Sequence, residues 1–220
     1  MNYKRVTLFA GHYGSGKTNI AVNYALKMNA DGKKVVIADL DIVNPYFRTK
    51  DSAKELEKAG IRLISSEYAN TNVDLPALPQ DMYSITDDRS EFAVLDIGGD
   101  DRGAYALGRY AEAIVEENDY EMLFVVNCFR PLTRTVEDTL QVMREIETAC
   151  SMKFTAIVNN SNLGEETTAE DVLNSVSYAT EISKVTGLPI KMTAVKDDIF
   201  KEMPAGFGDI LPLSLQKKIN

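Results

Sequence analysis

Paired cysteines, basic runs and long apolar stretches are all missing from this 220-residue chain. The two cysteines, Cys128 and Cys150, form no CxxC or CxC pair, so neither a zinc site nor an iron–sulfur site is encoded in that form. They read as reduced core thiols of a cytoplasmic protein. Lys and Arg number 24 against 33 Asp and Glu, a net charge of −9, and no Lys/Arg run stands against that balance. This disfavours broad nucleic-acid binding, which needs a basic footprint. No apolar run approaches the roughly 20 residues that span a bilayer. Charged Lys4 and Arg5 lead straight into a strand-like segment, which is not the pattern of a signal peptide. The closing "PLSLQKKIN" is too short and weakly apolar for a membrane-binding helix. Membrane insertion is therefore not expected. No repeat, low-complexity tract or linker divides the chain, which reads as one domain over 1–220.

What is present is an alternation. Short apolar runs recur at 5–10, 34–40, 61–65, 91–97, 121–127, 154–160 and 188–195. Most are continuous rather than alternating, as in strands buried on both faces. Segments with helical spacing lie between them at 17–30, 49–59, 103–118, 133–149, 168–186 and 197–203. "DG" at 31–32, "AG" at 59–60 and "TG" at 186–187 mark helix ends followed by strands. The pattern predicts an α/β fold: a doubly wound, mostly parallel sheet flanked by helices. Residues 66–89, with two closely spaced prolines, read as an irregular loop.

The chemistry begins at "GHYGSGKTNI", directly after the first apolar run. Gly11, Gly16, Lys17 and Thr18 satisfy G-x-x-x-x-G-K-[ST], between a strand and a helix. Glycines let backbone N–H groups close around phosphate oxygens. The lysine reaches the β- and γ-phosphates, the threonine hydroxyl suits Mg²⁺, and the following helix points its positive end at the anion. The candidate nucleotide-contacting loop is Gly11, His12, Tyr13, Gly14, Ser15, Gly16, Lys17, Thr18 and Asn19. Two further apolar runs end in carboxylates: Asp39 and Asp41 in "IADLDIV", and Asp96 in "VLDIGGDD". Carboxyl ends of strands are where a doubly wound sheet builds its site. Asp96 suits a water-mediated hold on Mg²⁺, and Gly99, in D-x-x-G spacing, could report a γ-phosphate through its N–H. Standing alone, Asp39 and Asp41 would read as solvated strand ends.

The order of these motifs resembles the MinD/ParA/CobQ/CobB group of nucleotide-binding proteins, within the wider class that includes the nitrogenase iron protein. The resemblance covers most of the chain and extends to "GLPIKMTAVKDDIF" near its end. It implies a P-loop NTPase fold, ATP and Mg²⁺ as ligands, and ATP hydrolysis. It implies that Lys17 and Asp41 serve the reaction, Lys17 on the phosphates and Asp41 by orienting or polarising the attacking water. Thr18, Asp39 and Asp96 would serve the metal. Asn160, in "AIVNNSNLG", would lie on adenine, with Asn159 as the alternative; a loop-capping amide is the other role that fits Asn160. One departure is chemical. Many ATPases of the group carry a second lysine near the start of the loop that reaches across a dimer, and His12 stands at that position here. An imidazole is not held charged at pH 7 as an ammonium is. Arg48, Arg102, Arg130 and Arg134 are alternative cations near the site loops, although each taken singly reads first as a surface or structural arginine.

The scaffold would also fit a metallochaperone or maturation NTPase, but the lack of a paired-cysteine or histidine-rich site argues against bound metal other than Mg²⁺, and two functions remain. One is a nucleotide-gated switch acting on a protein partner or on a second copy of the chain. The other is a metabolic enzyme like CobB or dethiobiotin synthetase, in which ATP activates a small carboxylate. Specificity for GTP is disfavoured because no N-K-x-D string follows a late strand.

Overall fold

The structure is a computed structural model that describes residues 2–41, 49–65, 80–98 and 101–215, with backbone only at 50, 51, 80 and 101–106. The strands are β1 (Val6–Ala10), β2 (Val35–Leu40), β3 (Arg62–Ser65), β4 (Phe92–Ile97), β5 (Tyr120–Val126), β6 (Ala156–Asn159), β7 (Ile190–Lys196) and β8 (Ile210–Leu213). They form one sheet in the order β3-β2-β4-β1-β5-β6-β7-β8. Each pairing is parallel.

Period-two alternation sends each strand's side chains to two separate layers. Leu8, Val36, Leu95, Phe124 and their neighbours pack under α4 (Asp101–Glu117) and α5 (Val136–Cys150). Phe9, Ile37, Val94, Leu123 and Val158 pack under α1 (Lys17–Ala30) and Leu56 of α2 (Ala53–Lys58). Apolar groups on both faces explain why the strands read as continuous runs. The helix stops fall on glycines at positive φ: Gly32 at 82°, Gly60 at 74° and Gly187 at 75°. α6 (Ala169–Thr186) begins with a reciprocal capping box between Thr168 and Asp171. At the opposite edge from the site loops, Arg5 is buried in an ion pair with Glu117.

Three local features depart from the sequence expectation. Gln80–Tyr83 is a 3₁₀ turn and Ser84–Asp87 a short helix, α3, so the end of the expected 66–89 loop is helical. The cause is burial: Met82 and Ile85 join the core layer beneath α4. The remainder of that loop, 66–79, lies outside the described residues. The expected helix at 49–59 divides into a 3₁₀ turn (Thr49–Ser52) and α2. Finally, β8 adds an edge strand, with α7 (Asp197–Phe200) preceding it. Its Pro212 is compatible with an edge, where one side of the strand needs no ladder donor. Among the described residues, no helix is long and apolar enough to cross a membrane.

Candidate functional site

The strand order reverses at β1. From β1 the chain crosses to β2, two places to one side, and later passes from β4 over β1 to β5 on the other. Loops leaving neighbouring strands diverge at such a point and open a crevice at their carboxyl ends. The loop Gly11–Gly16 leaves β1 in that crevice and runs into α1.

The loop's glycines are dictated by space and by dihedral angle. A methyl on Gly11 would overlap the carbonyl oxygen of Val125 on neighbouring β5. Gly16 has φ of 85°, and a methyl there would also overlap the Asn160 amide. The loop is closed by the Ser15 N–H donating to the His12 carbonyl at 3.0 Å. Asn160, at the end of β6, fastens it from above: its Nδ2 donates to the Ser15 carbonyl at 2.6 Å. Asn159 is committed elsewhere, donating to Ser175 Oγ at 2.8 Å and accepting from the Ser161 N–H at 3.2 Å. His12 Nδ1–H donates to the Tyr13 carbonyl at 2.9 Å, and Tyr13 is exposed.

Beneath the loop lies a buried charge cluster. Lys17 Nζ bonds Asp41 Oδ2 at 2.7 Å, with side chains only 3% and 4% exposed. The Asp41 N–H donates to Asp39 Oδ1 at 3.0 Å. Asp39 is the register partner of Asp96 across β2 and β4, so strand pairing itself brings these two carboxylates side by side. Thr49 Oγ1 donates to Asp96 Oδ2 at 3.2 Å. One ammonium thus faces three carboxylates. Burial alone would lower the Lys17 ammonium, but the charges of Asp96, Asp41 and Asp39 outweigh it and hold the group above its ordinary value. Burial pushes the Asp96 carboxyl up to about 6; Lys17 opposes that shift, Asp41 adds to it, and the hydroxyls of Thr18 and Thr49 favour the charged form.

Three buried side-chain atoms lack a hydrogen-bond partner among the described residues: Ser15 Oγ, Asp96 Oδ1 and Asn160 Oδ1. All three belong to this site. Buried polar atoms are ordinarily satisfied, so the cluster points to a ligand that completes them. A cleft of about 640 Å³ runs from Gly14, Gly16, Lys17 and Thr18 past Asn160 to Val195, Lys196 and Leu213. Its far end has apolar walls, Val172, Ala194, Val195 and Leu213, bordered by Glu165 and Lys196 paired at 2.6 Å. A loop end lined by Lys17 and Thr18 and an apolar far end suit a ligand with one charged and one apolar end.

The donor set also suits Mg²⁺. Among the described residues no group of three or more His, Cys, Asp or Glu side chains is placed to hold a metal by itself. Mg²⁺ does not require one, since it takes one or two carboxylates together with substrate phosphates and water. A buried threonine hydroxyl, a pair of aligned carboxylates and the unpartnered Asp96 Oδ1 match that need.

The sequence reading thus meets the structure at Gly11, Ser15, Gly16, Lys17, Thr18, Asp39, Asp41, Asp96 and Asn160, which come together. Asn19 and Gly14 also line the cleft. Gly99 and Arg48 lie outside the described residues, as does the side chain of Arg102. Arg134 is exposed and Arg130 lines the cleft. Thr49, Glu165 and Lys196 were not singled out by sequence; their roles arise from contacts 47 and 31 residues apart, which no local spacing encodes.

No protein-family model and no curated protein match the chain. Solved structures do match. The cell division protein FtsY from Thermotoga maritima is similar at a TM-score of 0.60 and 19% identity, covering 86% of this chain and 61% of that one. FtsY from Mycoplasma mycoides gives 0.55 and 18%, covering 88% and 61%. The signal recognition particle 54 kDa protein from Aeropyrum pernix K1, solved in complex with GDP, gives 0.50 and 17%, covering 87% and 41%. What these structures share with the chain is the fold, a parallel sheet flanked by helices. The chain spans about three fifths of the FtsY proteins it matches, and at these identities the likeness speaks to fold alone.

Proposed function

We propose that this chain is a Mg²⁺-dependent, adenine-nucleotide-binding P-loop protein of MinD/ParA/CobQ/CobB type, and that it hydrolyses ATP as a cytoplasmic switch on a protein partner or a second copy of itself. The observation that carries the reading is the buried Lys17–Asp41 pair beneath the phosphate loop. A phosphate entering the loop competes with Asp41 for Lys17. Such competition would couple ligand charge to the carboxylate that stands just after β2.

Backbone N–H groups of 11–16 and the N-terminus of α1 would take the phosphates. Thr18, Asp39 and Asp96 would hold Mg²⁺, which supplies charge neutralisation on the phosphate chain. Asp41, once released, would orient the attacking water. Support for adenine comes from Asn160. One N–H of its Nδ2 is given to Ser15, and its carbonyl Oδ1 has no partner among the described residues. An acceptor suits the amino group of adenine and opposes the carbonyl of guanine. The neighbour solved with GDP makes guanine the competitor to test. The other reading, activation of a small carboxylate, draws on His12 standing where many ATPases of the group have lysine.

The test is the solution mass of Asp41→Ala protein, by light scattering, with Mg²⁺–ATP and with Mg²⁺–ADP. A dimer with ATP and a monomer with ADP supports the switch. Equal masses in both states, together with ADP release stimulated by a small carboxylic acid, would favour the metabolic reading.

A further inference from the structure

The phosphate chain of a nucleoside triphosphate carries more negative charge than the loop's own lysine answers. Lys17 is already surrounded by Asp39, Asp41 and Asp96. His12 folds back onto the Tyr13 carbonyl. Of the four candidate arginines, Arg130 is the one whose described side chain reaches the cleft.

Arg130 lies in the loop after β5, and its side chain passes beside Gly14 of the phosphate loop. A methyl built on Gly14 would sit 3.4 Å from Arg130 Nε and 3.5 Å from Cζ. Those are contact distances, and Gly14 itself has φ of 77°, a conformation that suits glycine. The backbone beneath Arg130 is tightly fixed. Its N–H donates to the Asn127 carbonyl at 3.2 Å, and its own carbonyl accepts from the Thr133 N–H at 3.1 Å. Thr133 Oγ1 closes the turn onto the Asn127 carbonyl at 2.7 Å, and Asn127 Oδ1 accepts from the Phe129 N–H at 3.0 Å. Pro131 starts the following 3₁₀ turn (Pro131–Thr133). A rigid stem therefore presents a long cationic side chain at the loop.

That cation has no ion-pair partner among the described residues. Arg130 is solvent-exposed, so its charge is open to a ligand entering the cleft, whereas Arg5 and Arg62 are engaged by carboxylates. A planar guanidinium with five donors matches phosphate oxygens in pairs, which a lysine does not.

We propose that Arg130 is a phosphate-contacting residue supplied in cis, which takes the place of the second loop lysine on the nucleotide's polyphosphate. This rests on the reading of the cleft as a nucleotide site. The experiment is equilibrium binding of Mg²⁺–ATP to wild type, Arg130→Ala, Arg130→Lys and Arg144→Ala, each at low and high salt, with thermal melts to confirm folding. Arg144, on the exposed face of α5, hydrogen-bonds its own helix and is the control. Arg130→Ala should bind about tenfold more weakly at low salt, the loss of one charge-assisted contact. Its affinity should also fall less steeply with salt, because one ionic contact is gone. Arg130→Lys should recover part of the affinity and the salt dependence. Arg144→Ala should match wild type. Unchanged affinity in Arg130→Ala would overturn the proposal. So would a loss with unaltered salt dependence, which would mark Arg130 as shaping the cleft only. Absence of ATP and GTP binding in the wild type would overturn the nucleotide reading, and this assignment with it.

Discussion

Replacing Asp41 with asparagine should destabilise the free protein slightly and tighten its grip on nucleotide. In the free protein Lys17 and Asp41 form a 2.7 Å ion pair, both buried. Removing one partner of an isolated buried pair costs about 3–5 kcal/mol, because a bare charge remains. Here it does not remain bare. Asp96 and Asp39 still face Lys17, and an asparagine carbonyl can accept from its ammonium. The loss should be nearer ~1 kcal/mol, or a melting shift of about 2–4 °C for a chain of this size. Binding moves the other way. In wild type, phosphate must displace a charge-assisted bond whose net worth is about 1.5–3 kcal/mol. Weakening that bond by roughly half gives about tenfold tighter Mg²⁺–ATP. Turnover should be lost, since asparagine is a poor orienter of the attacking water. The assay is calorimetric titration with Mg²⁺–ATP, paired with thermal melting and phosphate release. An Asp41→Asn protein that binds more weakly than wild type would refute the displacement argument, and one that hydrolyses normally would refute the role of Asp41.

Other substitutions probe the same site. Asp96 has its folded pKa raised to about 6 from an ordinary 3.8, so its contribution to stability is present below about pH 4 and is lost as pH rises through 6. Without magnesium, Asp96→Asn should therefore be more stable than wild type at pH 8, by up to ~2–3 kcal/mol, with the gap closing between pH 6 and 4; a pH-independent gap in denaturant unfolding would contradict this. Gly16→Ala combines left-handed strain of about 1–2 kcal/mol with overlap onto the Asn160 amide. It should lose roughly 2–4 kcal/mol and nucleotide binding too, whereas Gly32→Ala, with φ of 82° and open space around it, should show the strain alone. Equal melting losses in the two would mean that the Asn160 clamp contributes nothing.

Much of the site was legible because its chemistry is local. A phosphate loop needs glycines, lysine and threonine within eight residues, and a strand end announces its carboxylate one residue at a time. Strand identity was equally readable, since apolar groups on both faces leave continuous runs such as "VVIADL". What stayed hidden depends on contacts between distant segments. The pairing of Lys17 with Asp41 spans 24 residues, and the bond from Asn160 to Ser15 spans 145. Asn160 and Asn159 look interchangeable in sequence, and strand alternation turns one toward the loop and the other toward Ser175. β8 is four residues long and contains a proline, so no periodicity marks it; its pairing with β7 defines it. The four arginines could not be ranked by sequence, because it is the turn at 127–133, closed by contacts six residues apart, that sets Arg130 beside Gly14.

The measurement closest to the central claim is a titration of wild type and Lys17→Ala with Mg²⁺–ATP, folding being checked by thermal melting. The account predicts saturable binding at one site in wild type and at least about a hundredfold loss in Lys17→Ala, the effect of removing a buried cation from the phosphates. Equal affinity in the two proteins would contradict it.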